Sequence, residues 1–134
     1  MKNKFIKYIL YLILLTLSLP AENIRWHGNY DIAHAQALKE NKMLMVLLIE
    51  QKSPECYKML STTFMNQVYN KKINSLFVSV LITKGQKETY PIEMLYTLEY
   101  PSIFFLDKNE LFIGKTLFGY ISPDKFNTYL NLYF

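Results

Sequence analysis

The stretch that decides the fold runs from Met43 to Met59 and reads M-L-M-V-L-L-I-E-Q-K-S-P-E-C-Y-K-M. Its opening run, Met43 to Ile49, is apolar throughout and is closed off by Lys42 on one side and Glu50 on the other. A strand with one wet face alternates apolar and polar residues, whereas an unbroken apolar run of strand length predicts a central strand covered on both faces. Gln51 to Pro54 carries turn chemistry, and Pro54 suits the first turn of a helix, where its missing N–H is not needed. The helix is predicted to run through Cys56, Met59 and Leu60, to break near Ser61 to Thr63 and to resume as far as Asn70.

Upstream, Ile32, Ala35 and Leu38 recur at helical spacing between Asn29 and Asn41, with Asn29 or Asp31 available as N-cap. Downstream, Ser75 to Ile82 is rich in β-branched and aromatic residues and reads as a second strand beside the first. Thr83 to Thr89 is a polar loop, and Pro91 to Glu99 is expected to hold a short helix with Ile92, Leu95, Tyr96 and Leu98. Pro101 opens a third strand, Asp107 to Glu110 makes a hairpin turn, and Leu111 to Leu117 is expected to return antiparallel. Ser122 and Pro123 begin a last helix whose Phe126, Tyr129, Leu130 and Tyr133 form a stripe predicted to lie on the sheet. Two crossovers through helices imply parallel neighbours. The expected fold is therefore α/β, a mixed four-stranded sheet of two parallel strands plus a C-terminal antiparallel hairpin, with helices on both faces.

The first residues have a different character. Lys2, Lys4 and Lys7 precede an uncharged run from Tyr8 to Leu19, the order of a secretory signal. A membrane anchor is the competing reading, but about a dozen apolar residues fall short of the roughly 20 that a spanning helix needs. A peptidase wants small side chains at the last and third-last positions, which fits cleavage after Ser18, with Thr16, well and after Ala21, with Leu19, less well; both positions stay open. Residues 1–21 then form the signal peptide and 22–134 the domain, in the periplasm or secreted, with membrane contact only if the segment stays uncleaved. Of the 15 basic residues three leave with the signal, so 12 face 11 acidic ones. No basic stripe remains for a phosphate backbone, which argues against nucleic acid. Composition is 51% hydrophobic with four glycines, as befits a folded domain. With one cysteine, Cys56, no intramolecular disulfide can staple it.

The order of elements, with Ser53-Pro54-Glu55-Cys56 after the first strand and Tyr100-Pro101 at the start of the third, resembles the thioredoxin superfamily. The resemblance covers the chain from about Trp26 onward. Cys56-Tyr57-Lys58-Met59 matches the second cysteine of a C-x-x-C pair and the residues after it, while Ser53 stands where the first should be. The resemblance implies a catalytic position at Cys56 with a degenerate Ser53. It also implies a cis bond before Pro101 and an extended substrate segment held along Tyr100, Pro101 and Pro54 by strand-like hydrogen bonds. Its partners would be protein thiols or disulfides, or a peptide segment. The departures weigh equally: Lys52 replaces the tryptophan that often precedes the pair, and Leu47 replaces the family's buried acid. A two-electron dithiol cycle is chemically impossible within this monomer.

Other chemistries find little support. His27, His34 and Cys56 lack metal-ligand spacing, and no acid pair, Ser-His-Asp order or glycine-rich phosphate loop stands out, so no metal or cofactor is expected. The third position of a helix favours a Cys56 thiolate through the macrodipole, whereas Glu50 and Glu55 oppose it. Two functions are compatible with these residues: mixed-disulfide chemistry at Cys56, or a non-catalytic module that binds peptides or a protein partner beside Pro101.

Overall fold

A computed structural model describes residues 2–16, with the backbone alone for 15–16, and 22–134. Both candidate cleavage positions, Ser18 and Ala21, lie outside the described residues. Helix α1 (Lys2–Thr16) exposes its apolar side chains, among them Phe5, Tyr8, Tyr11 and Leu12, and contributes nothing to either core cluster of the domain. No helix among the described residues is long and apolar enough to cross a membrane.

The sheet is built on β2 (Met43–Ile49), which pairs in parallel with β3 (Phe77–Thr83) and antiparallel with β4 (Ser102–Leu106). The short strands β1 (Trp26–His27) and β5 (Leu117–Phe118) close the two edges, giving the order β1-β3-β2-β4-β5. This corrects the expected four strands to five: Trp26 and His27 pair with Ser79 and Val80 across only two residues, too short a run to leave a periodic signal. Along β2 the side chains alternate between two cores. Met45 and Leu47 join Met59, Phe64, Ile73, Phe105 and Phe126 on one face, while Leu44, Val46 and Leu48 join Ala33, Ala37, Val80 and Phe104 on the other. The two-sided burial expected of the apolar run is observed.

Helix α2 (Tyr30–Glu40) is capped by Asn29, whose side chain accepts from the Ile32 N–H at 2.9 Å. Its buried face is Tyr30, Ala33 and Ala37, not the Ile32, Ala35 and Leu38 stripe, of which Ile32 is 62% and Leu38 49% exposed. Both stripes have helical spacing. The alanines let the helix lie close on β2 and β3, and the Tyr30 hydroxyl, donating to Glu110 at 2.9 Å, holds the rotation. Helix α3 (Pro54–Ser61) ends as expected near Ser61 and is followed by a 3-10 turn at Thr63–Met65. Helix α4 (Asn70–Leu76) then occupies the start of the expected second strand, because Ile73 fills the core as part of a helix before β3 begins at Phe77. Helix α5 (Pro123–Tyr133) buries Phe126, Tyr129 and Leu130, while Tyr133 stays at the surface.

Two further expectations are corrected after β3. Residues 91–99 make turns and no helix, so the second expected crossover does not form, and β4 runs antiparallel to β2. The return strand is also interrupted: a bridge joins Leu106 and Phe112, and pairing resumes only at Leu117. At the interruption the Tyr129 hydroxyl donates to the Lys115 carbonyl at 2.7 Å and accepts the Lys115 N–H at 2.8 Å. Those backbone groups are thereby withdrawn from the ladder. Gly114, at φ +63°, makes the approach possible, since a Cβ there would stand 2.5 Å from that hydroxyl. Gly114→Ala is expected to destabilise the fold by about 2–4 kcal/mol in urea unfolding. Gly28→Ala, with open space around it, should stay within about 0.5 kcal/mol. Equal effects at the two positions would show that Tyr129 does not anchor the return strand.

Candidate functional site

At the C-terminal end of β2 the chain leaves the sheet through Glu50 to Ser53, with Lys52 in the left-handed region at φ 60°. A non-glycine residue there costs roughly 1 kcal/mol, which the surrounding contacts must offset. Lys84, just beyond β3, holds the exit by donating its N–H to the Ile49 carbonyl at 2.8 Å and its ammonium to Glu50 at 3.2 Å. That carboxylate raises the pKa of Lys84 by hydrogen bond and charge.

Ser53 is the N-cap of α3: its Oγ accepts from the Cys56 N–H at 3.3 Å and donates to Glu55 at 3.4 Å. Pro54 follows at the first helical position and is exposed. Cys56 is 1% exposed, and its Sγ accepts from the Glu50 N–H at 3.4 Å. The sulfur therefore lies inward, between the start of α3 and the end of β2, with the Ser53 cap in front of it.

The Tyr100–Pro101 bond is cis, as the resemblance implied. Ser102 pairs with Leu48, so Pro101 lies one residue further along, at the end of the sheet where β2 gives way to Glu50. The Pro101 carbonyl accepts from the Gly119 N–H at 2.7 Å, which brings the segment after β5 to the same end. Behind the bend, the buried hydroxyls of Thr97 and Ser102 lie 2.9 Å apart, and Ser102 donates to the Glu99 carbonyl at 2.6 Å. Topology thus brings Ser53, Pro54, Cys56, Tyr100 and Pro101 to one end of the sheet.

Several residues of this rim left no mark in the sequence. The Lys84 ammonium sits 5.3 Å from the centre of the Tyr100 ring, and Lys58 sits 4.4 Å from that of Tyr120. Burial pushes the Tyr100 hydroxyl pKa up, with Lys84 pulling the other way. Met59 is held from outside by the Ile121 N–H, 3.4 Å from its sulfur, and Thr63 donates to the Ile121 carbonyl at 2.6 Å. These pairs join loops far apart in sequence, and only a resemblance that extended to the loops could have found them.

Chemically, the arrangement offers one thiol without a local resolving partner and a serine whose lone pair is committed to a helix cap. Ser53→Ala is expected to cost about 1 kcal/mol of stability, the loss of the cap. Ser53→Cys should instead form an intramolecular disulfide with Cys56 under mild oxidant, because the two side chains share one helical turn. Thiol titration of the folded variant checks this. Two thiols alkylated separately would show that the positions are not a degenerate pair.

No family model matches the chain, and no curated protein is similar to it at a significant level. Solved structures are. A thioredoxin from Thermus thermophilus superposes with a TM-score of 0.66 at 19% identity, over 82% of this chain and 86% of that one. The DsbH oxidoreductase does so with 0.68 at 14% identity, over 87% and 90%. The C-terminal domain of Neisseria meningitidis DsbD in its oxidised form reaches 0.60 at 15%, over 78% and 92%. Likeness at these identities is likeness of fold. The chain has a thioredoxin-like α/β fold, a mixed five-stranded sheet with five helices among the described residues, and it carries a single cysteine.

Proposed function

We propose that the protein is an exported, non-catalytic thioredoxin-fold module that holds an extended peptide segment of a partner at the end of the sheet formed by Ser53, Pro54, Tyr100 and Pro101. The observation that carries this reading is the burial of Cys56, 1% exposed with its sulfur bonded to the Glu50 N–H. A sulfur so placed cannot reach a disulfide in another protein. Mixed-disulfide chemistry, the rival, would first require the contact between Glu50 and Cys56 to open.

Close to these residues in chain or register, large apolar side chains are exposed: Tyr57 in α3 is 58%, Leu98 83% and Phe118, which pairs with Ser102, 52% exposed. Grouped apolar exposure beside a short edge strand is the ordinary mark of a surface that meets a partner. Export rests on the charged start and apolar run of residues 1–19, and it would place that partner outside the cytoplasm.

The test combines alkylation with binding. In the folded protein, Cys56 should react with iodoacetamide at least tenfold more slowly than in urea. A library of extended peptides should yield ligands that shift the amide resonances of residues 50–56, 98–102 and 117–120, and Phe118→Asp should abolish that binding without unfolding the domain. Rapid formation of a mixed disulfide between native Cys56 and glutathione disulfide would sink the proposal, as would shifts confined to another face.

A further inference from the structure

The four residues Glu22–Arg25 precede β1 and belong to no helix or strand, yet side-chain amides engage their backbone group by group. Gln67 Oε1 accepts from the Glu22 N–H at 2.8 Å, and Asn70 Nδ2 donates to the Glu22 carbonyl at 3.1 Å. Asn74 Nδ2 donates to the Asn23 carbonyl at 2.8 Å, and Asn74 Oδ1 accepts from the Arg25 N–H at 3.1 Å. Asn70 and Asn74 lie four apart on one face of α4, so the helix offers two amides at the spacing of an extended chain. Ile24 meanwhile inserts into the core at 7% exposure.

Among the described residues, the first group this clamp engages is the nitrogen of Glu22. One of its members is also under-used: Asn70 is fully buried, and its Oδ1 has no hydrogen-bond partner among the described residues. A buried acceptor without a donor is destabilising, and a peptide N–H, already given to Gln67, has no second proton to offer. An ammonium group has three. The small residue Ala21 immediately before Glu22 is one of the two positions that suit a signal peptidase.

From these observations we propose that the chain is processed between Ala21 and Glu22, and that the α-ammonium group so released docks on Gln67 Oε1 and Asn70 Oδ1. The inference rests on the export reading and chooses between its two cleavage positions. Hydrolysis by an external peptidase consumes one water: the acyl carbon of Ala21 leaves as a carboxylate, and the nitrogen of Glu22 is protonated to the ammonium. Docking then gives the new terminus charge-assisted hydrogen bonds where the unprocessed chain has one neutral bond.

Intact mass of the full chain, recovered after export from a bacterial host, should begin at Glu22. A start at Leu19 overturns this inference and leaves export standing, whereas a Met1 chain retained in membranes overturns export itself. Docking is tested separately on the chain beginning at Glu22, whose core contains no residue of α1. Acetylation of the α-amino group should lower its Tm by about 4 °C. The same acetylation should do nothing in Asn70→Ala or, if that variant is poorly folded, in Gln67→Ala. An acetylated chain as stable as the free amine, or an equal drop in both variants, refutes the docking.

Discussion

Everything in this molecule is hung on a strand that can tolerate no polar side chain. Met45 and Leu47 point into one core and Leu44, Val46 and Leu48 into the other, all essentially inaccessible, so β2 must lie mid-sheet with layers on both sides. Full burial of a single such side chain is worth on the order of 2 kcal/mol. A polar group there would cost about as much again unless bonded. Leu47, at the centre of the strand, meets that demand in full.

Because β2 is fixed, its end is fixed, and with it the geometry of the candidate site. The strand delivers Glu50 to a point where its N–H meets Cys56 Sγ and its carboxylate meets Lys84, while β4, in register with β2, delivers Pro101 to the same place. The site residues come from separate parts of the chain, and none positions itself. Lys52 in its left-handed conformation and the paired hydroxyls of Thr97 and Ser102 are local adjustments that let the two loops meet.

Legibility in the sequence followed the range of the interaction. Central strands, both proline-led helices and the caps at Asn29, one of two candidates, and Ser122 could be read because each depends on near neighbours, whereas the cap at Ser53 was not read. The rotation of α2 could not, since Ile32-Ala35-Leu38 and Tyr30-Ala33-Ala37 are equally helical, and the choice is made by contact with β2, β3 and Glu110. β1 is too short to show a period, and at the interruption before β5 the backbone is bonded by Tyr129 from a helix later in the chain. The same holds for the site. Ser53, Cys56 and Pro101 could be picked out as a motif, whereas Lys84 beside Tyr100 and Lys58 beside Tyr120 arrive by tertiary contact alone.

Two roles at residue 53 make different chemical demands. A residue at the N-cap of α3 must present an acceptor to the N–H three residues on, and serine is among the best at doing so. The same residue in a dithiol site must present a nucleophile of lowered pKa, which a hydroxyl is not. Selection for the fold alone therefore favours serine at least as strongly as cysteine, and only selection for redox turnover would resist it. Cys56 is held in a different way: its sulfur fills a buried space and takes the Glu50 N–H, so packing fixes it whether or not it reacts. Residue 53 is thus held by a hydrogen bond that any short acceptor could make and residue 56 by burial, and neither demand is a demand for redox chemistry.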